Sequence, residues 1–176
     1  MPLLNQREIK ADTWRFLEDN EPLPALGDIV VTLDRLVSEF KTLMLHPDSL
    51  GVSIPNDRPV AELEPYLQRL QLVVLEFPVF TDGRAYSQAR ALRSHLEFSG
   101  ELRATGNLLP DQLGFMQQVG IDWFDIADER FDLTHWLKAS DAISLTYQRR
   151  FTSRNQVNIV DARDAEDGPE QPRVAP

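Results

Sequence analysis

Arginine and carboxylate side chains cluster in the middle of the chain, in a segment without lysine. Residues 77–112 contain four acids and four arginines, so this segment is neutral although the chain carries a formal net charge of −10. Arginine can bind oxyanions through planar, bidentate hydrogen bonds. The cluster therefore predicts either an anion site or internal ion pairs, with Arg84 and Arg103 as the main candidates.

Four further polar residues follow predicted strands, where loops and helix N-termini converge in parallel α/β folds. Asp82 precedes a helix that carries Arg84 in its first turn, a position where the helix dipole disfavours a cation. Asn107 follows Gly106 in a turn, and Asp57 and Asp111 lie in comparable loops. Each of them also has a purely structural interpretation. Asp82, for example, could serve as the N-cap of its helix and have no other role. A solvated i,i+4 ion pair with Glu97 is also expected for Arg93.

The residue types argue against several kinds of site. The chain has no cysteine and 3 histidines, and the histidines are too scattered to match common metal-binding spacings. It also lacks the glycine-rich phosphate loops, the nucleophile elbow and the HExxH motif. We therefore predict no metal and no cofactor. No catalytic residue is identified, so whether the protein is an enzyme stays open.

Five strand-then-helix units must position these residues. Short runs of apolar residues predict strands at 29–33, 51–54, 72–77 and 123–126, and alternation of polar and apolar residues predicts one at 101–105. A helical pattern follows each of them. This alternation predicts an α/β fold with a mainly parallel sheet. Two closures are possible, a partial TIM-barrel-like sheet and an open, doubly wound, flavodoxin-like sheet. Arg103 favours the first, because a barrel interior tolerates a charge that is paired, here with Glu76 or Glu101.

Composition divides the chain into three regions. Residues 1–27 are polar and proline-containing, which predicts an N-terminal arm and linker with a short helix around 13–18. Residues 28–150 form a single α/β domain. Residues 151–176 are rich in acids and proline, which predicts a disordered tail, with a strand at 156–160 as an option before it.

Charge and hydropathy bear on partners and location. An acidic chain is a poor nucleic-acid binder, because phosphates require a basic face. The apolar runs are shorter than the roughly 20 residues of a membrane helix, and the charged N-terminus lacks a signal-peptide pattern. We expect a cytoplasmic protein that binds neither nucleic acid nor membrane. Since five strands cannot close a barrel, a homodimer is possible through an apolar flank of Trp14, Phe131 and Trp136.

Three segments of the sequence resemble a bacterial family called domain of unknown function 934. The segments are FPVFTDGRAYSQARALR at 77–93, GELRATG at 100–106 and Asp111-Gln112. The resemblance covers roughly residues 28–150, including Pro55-Asn56-Asp57 and Tyr147-Gln148. The sequence departs from the family pattern in two places: Asn107 stands where an Asp is common, and Gln118-Val119 stands where an Arg-Cys pair is common.

The resemblance implies an association with assimilatory sulfite reduction, since members are often labelled as oxidoreductases of that process. With no cysteine, haem-ligand motif or dinucleotide fingerprint, we expect an accessory protein that binds sulfite reductase or an oxyanion rather than one that carries electrons. Arg84 and Arg103 would suit a sulfite-like oxyanion. Two alternatives remain, a small-molecule enzyme with its site at the C-terminal edge of the parallel strands and a structural protein without a ligand.

Overall fold

The computed structural model describes residues 2–5, 8–126 and 132–141. Within them, the strands are β1 (Pro2–Asn5), β2 (Glu8–Ala11), β3 (Arg15–Phe16), β4 (Ile29–Thr32), β5 (Leu50–Ile54), β6 (Leu70–Phe77), β7 (Glu101–Gly106) and β8 (Trp123–Asp125). The α-helices are α1 (Leu33–Leu43), α2 (Arg84–Ser94), α3 (Leu113–Gln118) and α4 (Leu133–Asp141), and two 3₁₀ helices span Val60–Tyr66 and Pro110–Gln112. The predicted tail 151–176, the strand at 156–160 and Phe131 lie outside the described residues.

The strands form one curled, half-barrel sheet in the order β2-β1-β8-β7-β6-β5-β4-β3. Strands β3 to β8 run parallel, while β1 pairs antiparallel with both β2 and β8. The five predicted strands match β4 to β8 within two residues at either end. The mixed α/β class and the mainly parallel sheet are therefore confirmed. The predicted helix after β5 is a 3₁₀ helix with Pro65 inside it.

The alternation of side chains along each strand divides the core between the two faces of the sheet. The outer face carries the large core, in which Val73 and Leu75 of β6 pack with residues of the helices such as Leu92 and Met116. The inner face carries a small cluster of Val30, Leu72 and Val74, with Trp14 packed against it.

The N-terminal segment belongs to the sheet, and the helix expected around 13–18 is absent. Strands β1 and β2 extend one edge of the sheet, and β3 extends the other edge by pairing with β4. Residues 12–14, which we call the strap, connect the two edges. Because four Cα steps span at most about 14 Å, the edges must approach one another closely. The strap thus accounts for the curl of the sheet.

Candidate functional site

Asp82, in the loop after β6, and Arg84, the first residue of α2, lie together at the C-terminal ends of the parallel strands (the carboxyl edge). Oδ2 of Asp82 accepts from Nη2 of Arg84 at 2.7 Å, and Oδ1 accepts from Nε at 3.0 Å and from the Arg84 backbone N–H at 3.2 Å. These hydrogen bonds hold the pKa of Asp82 well below its ordinary value. The Arg84 side chain is nevertheless 57% exposed, so its guanidinium remains accessible to a partner.

The other candidates lie in different loops of this edge. Asp57 is exposed, and its charge helps Asp82 to raise the pKa of Arg84. Asp111 is exposed beside Tyr86, whose pKa is raised by burial and by that charge. The backbone N–H of Asn107 donates to the Phe77 carbonyl at 2.7 Å. The edge therefore collects charges in its loops, with Asp57 and Asp82 both acting on Arg84.

The turn at Gly106, the last residue of β7, places Asn107 beside the end of β6. Gly106 has a φ of +104°, and a Cβ there would lie 2.5 Å from the Phe77 carbonyl oxygen. Only glycine combines this backbone conformation with such a close approach. The turn fixes the end of β7 against the end of β6.

Arg103 is placed away from Arg84, on the inner face of the half-barrel. It is only 1% exposed, and its Nη2 donates to Asp12 at 2.7 Å and more weakly to Asp125 at 3.4 Å. The inward orientation agrees with the predicted alternation along β7. Glu76, which alternation suggested as a partner, instead accepts from Ser53 at 2.8 Å.

Two nitrogens of Arg103 lack an acceptor. Its Nε and Nη1 are buried and have no hydrogen-bond partner among the described residues, and the same holds for Oδ1 of Asp125. The guanidinium carbon lies 5.1 Å from the centre of the Phe16 ring, which packs against the cation. Buried donors without acceptors are rare in native proteins and call for an explanation.

Arg103 lines a cavity of about 590 Å³ on the inner face. The cavity lies towards the N-terminal ends of the parallel strands, because Asp28, Ser49 and Gln71 also line it. Its aromatic walls are Trp14 and Trp123. None of the five carboxyl-edge candidates contributes to it, so the candidate residues occupy two separate places.

Sequence reasoning missed Asp12, Trp14 and Trp123 as parts of this inner face. Alternation along β8 could have found Trp123, which shares a face with Asp125. Asp12 gave no signal, because its segment was interpreted as a linker. Trp136, expected at a dimer surface, is instead 1% exposed within the core, so that expectation was wrong.

Arg93 was also interpreted incorrectly, since it is buried rather than paired with Glu97 in solvent. Its guanidinium donates to the carbonyls of Phe98, Gly100 and Gly120 and to Oδ2 of Asp122 at 2.6 Å. Burial lowers the pKa of Arg93, and Asp122 opposes that effect. Arg93 thus joins α2 to the loops that precede β7 and β8.

Within the described residues, no group of three or more His, Asp or Glu side chains is arranged to hold a metal ion. None of the helices in that part of the chain is both long and apolar enough to span a membrane.

A protein-family model matches the middle part of the chain and extends beyond β8. The model of a bacterial protein of unknown function (DUF934) matches residues 51–157, which is more than half of the chain. All six candidate residues fall in this segment, whereas Asp12 and Trp14 precede it. No curated protein matches the sequence.

Proposed function

Since this chain belongs to the DUF934 family of bacterial proteins, we propose that it is an accessory protein of assimilatory sulfite reduction that docks on the reductase rather than carrying electrons. The association rests on the family resemblance. The observation that carries the docking role is an exposed apolar surface at the carboxyl edge, two residues of which are phenylalanines. Val79, Phe80 and Phe115 are exposed by 48%, 53% and 51% of their area. We call these three residues, with Asp82 and Arg84, the edge surface.

The edge surface is anchored to the core. The Phe115 ring lies 4.9 Å from the ring of Tyr86, and Tyr86 lies 5.2 Å from the buried Phe77. The backbone of Phe80 is held by Gln112, whose Nε2 donates to its carbonyl at 3.0 Å. A surface that is already ordered loses little conformational entropy when it binds, which favours affinity.

The composition of the edge surface also fits a protein partner. Aromatic residues and arginine are enriched in protein interfaces, and they supply most binding hot spots. Asp82 engages Nε and Nη2 of Arg84 and so fixes the guanidinium plane, which leaves Nη1 for a carboxylate of the partner. The fixed guanidinium plane would make the contact between Arg84 and the partner's carboxylate directional as well as charged.

Two other functions have weaker support. A sulfite-like oxyanion could bind Arg84, but the second arginine expected to help, Arg103, is on the inner face with two carboxylates. Acid–base catalysis of a small-molecule reaction by a carboxyl of this edge would need that carboxyl to change its protonation. The low pKa of Asp82 keeps it ionised at neutral pH, which makes it a poor general acid.

Size-exclusion chromatography and calorimetry with the purified reductase from the same organism test the docking role. Phe80→Ser and Phe115→Ser should each weaken binding by about tenfold or more, because hot-spot truncation typically costs over 1–2 kcal/mol. Leu45→Ser is the matched control, since Leu45 is 84% exposed and lies beyond α1, away from the edge surface. Absence of any complex, or equal weakening by all three variants, would reject the docking role. A parallel sulfite titration with Arg84→Ala tests the oxyanion alternative.

A further inference from the structure

A buried glutamine ties α2 to the loop that follows β5. Gln88 lies one helical turn after Arg84, and its Nε2 donates to the backbone carbonyls of Pro55 and Arg58, both at 2.8 Å. The backbone N–H of Arg58 donates to the Pro55 carbonyl at 3.2 Å. The Gln88 amide therefore holds both ends of a four-residue turn, 55–58, and fixes this turn against the beginning of α2.

The 55–58 turn places Asn56 beside Asp82. Asn56 is buried, and its Nδ2 forms no hydrogen bond of good geometry among the described residues. Hydrogen bonds from Arg84 are the main cause of the low pKa of Asp82, and the side chain of Asn56 adds to their effect. A donor that stabilises an ionised carboxylate must lie near it, so the Asn56 amide faces Asp82. Because Nδ2 is closed off from solvent, it acts on a neighbouring protein group.

The carboxylate of Asp82 passes this placement on to Arg84. Its Oδ1 accepts from Nε of Arg84 at 3.0 Å and its Oδ2 accepts from Nη2 at 2.7 Å, which makes a bidentate pair. Such a pair is planar, so the position of the carboxylate sets the plane of the guanidinium. Asp57 belongs to the same 55–58 turn, and its charge adds to the effect of Asp82 in raising the pKa of Arg84. The turn thus acts on the exposed arginine by two routes.

We propose that Asn56 and Gln88 are positioning residues of the edge surface: Gln88 holds the 55–58 turn, and Asn56 in that turn holds the carboxylate of Asp82 that orients Arg84. Asn56 and Gln88 are 8% and 6% exposed, so they act on a partner through Arg84 rather than by contact. Their part in docking rests on the proposed function, whereas the orientation of Arg84 is measurable in the isolated protein.

The Nε–H group of Arg84 reports this orientation. Its nitrogen-15 NMR signal is assigned by Arg84→Lys, and its hydrogen exchange with water accelerates when the hydrogen bond to Asp82 weakens. Gln88→Met removes the donor to the turn and keeps a side chain of similar length, and Asn56→Ala removes the amide beside Asp82. Each variant should accelerate exchange of the Arg84 Nε–H by about threefold or more, because it loosens one support of that hydrogen bond.

Two controls separate positioning from a general loosening of the fold. Gln112→Met removes another glutamine of the carboxyl edge, whose Nε2 donates to the Phe80 carbonyl at 3.0 Å, and should leave exchange of the Arg84 Nε–H unchanged. The Nε–H of Arg93 is the internal reference, since Arg93 lies in the last turn of the same helix and donates to the Gly120 carbonyl at 3.1 Å. Its exchange should be the same in every variant.

The exchange rates decide the proposal. It is overturned if Gln88→Met and Asn56→Ala leave the Arg84 rate unchanged, if Gln112→Met raises that rate equally, or if the Arg93 rate rises by the same factor. If Gln88→Met fails to fold, Asn56→Ala decides alone, because the Asn56 amide has no well-formed hydrogen bond to lose.

Calorimetry with the reductase separates this proposal from the docking role. Gln88→Met and Asn56→Ala should each weaken binding by about threefold or more. If the unaltered protein does not bind the reductase, the docking role is rejected, and the exchange rate of Arg84 still decides whether Asn56 and Gln88 position it. Faster exchange of the Arg84 Nε–H with undiminished binding would refute a part for these two residues in docking.

Discussion

Removing the carboxylate of Asp12 tests how the N-terminal strap is held to the sheet. Oδ2 of Asp12 accepts from Arg103 at 2.7 Å, and Oδ1 accepts from the Trp14 backbone N–H at 3.0 Å. The side chains of Asp12 and Arg103 are 13% and 2% exposed, so this pair lies in the interior. One residue thus ties the strap to β7 and fixes the turn towards β3.

The expected cost follows from what remains after the substitution. Breaking a buried ion pair costs about 3–5 kcal/mol when the surviving charge has no other partner. In Asp12→Ala, Asp125 still contacts Arg103, and the repulsion between the carboxylates of Asp12 and Asp125 is removed. We therefore expect Asp12→Ala to lower the free energy of unfolding by about 2–3 kcal/mol. Asp12→Asn keeps a neutral acceptor and should cost about 1–2 kcal/mol.

Urea unfolding followed by circular dichroism measures both losses. Asp34→Ala is the matched control, because Asp34 pairs with Arg58 at 3.0 Å but is 77% exposed. Exposed pairs contribute about 0–1 kcal/mol. Hydrogen exchange should also accelerate in β1 and β2 when the strap is released. A loss for Asp12→Ala no larger than that for Asp34→Ala would show that the strap is not held by this pair.

Two further predictions concern other charged contacts. Arg93→Met should lower the free energy of unfolding by about 3–5 kcal/mol, because Asp122 loses its cationic partner and three carbonyls lose a donor. Arg90→Met on the exposed side of α2 should change the free energy of unfolding by less than about 0.5 kcal/mol, and urea unfolding compares the two variants. For Asp82, the folded-state pKa lies below the unfolded value of 3.8, so its contribution to stability is present above that pH and is lost as the pH falls further. The stability difference between the unaltered protein and Asp82→Asn should therefore shrink below about pH 4, and an unchanged difference would contradict the ion pair.

The β/α alternation was predictable because strands β4, β5, β6 and β8 are short, mainly apolar runs and β7 alternates between polar and apolar residues. Leu70–Phe77 is apolar on both faces, as expected for a strand covered on both sides. The N-terminal strands were not predictable in the same way. Strand β2 (Glu8–Ala11) is short and polar, and β1 pairs with β8 across more than a hundred residues of chain. Such strands depend on tertiary pairing rather than on local pattern.

The candidate site shows the same division between local and distant information. Alternation along β7 correctly placed Arg103 on the inner face, because side-chain direction is a local property of a strand. Its partner Asp12 was missed, since the two are 91 positions apart and nothing in one segment specifies the other. The residues of the carboxyl edge were found because each follows its own strand within a few positions.

The two arginines that the sequence analysis grouped as one candidate anion site lie in different places in the structure. Arg84 and Arg103 both belong to the neutral segment 77–112, yet only Arg84 is exposed and only Arg103 lacks acceptors for buried donors. An exposed arginine beside aromatic residues suits a protein partner, whereas a buried arginine that contacts two carboxylates holds the strap against the inner face of the sheet. The two arginines therefore belong to different places in the fold, and only Arg84 is part of the edge surface.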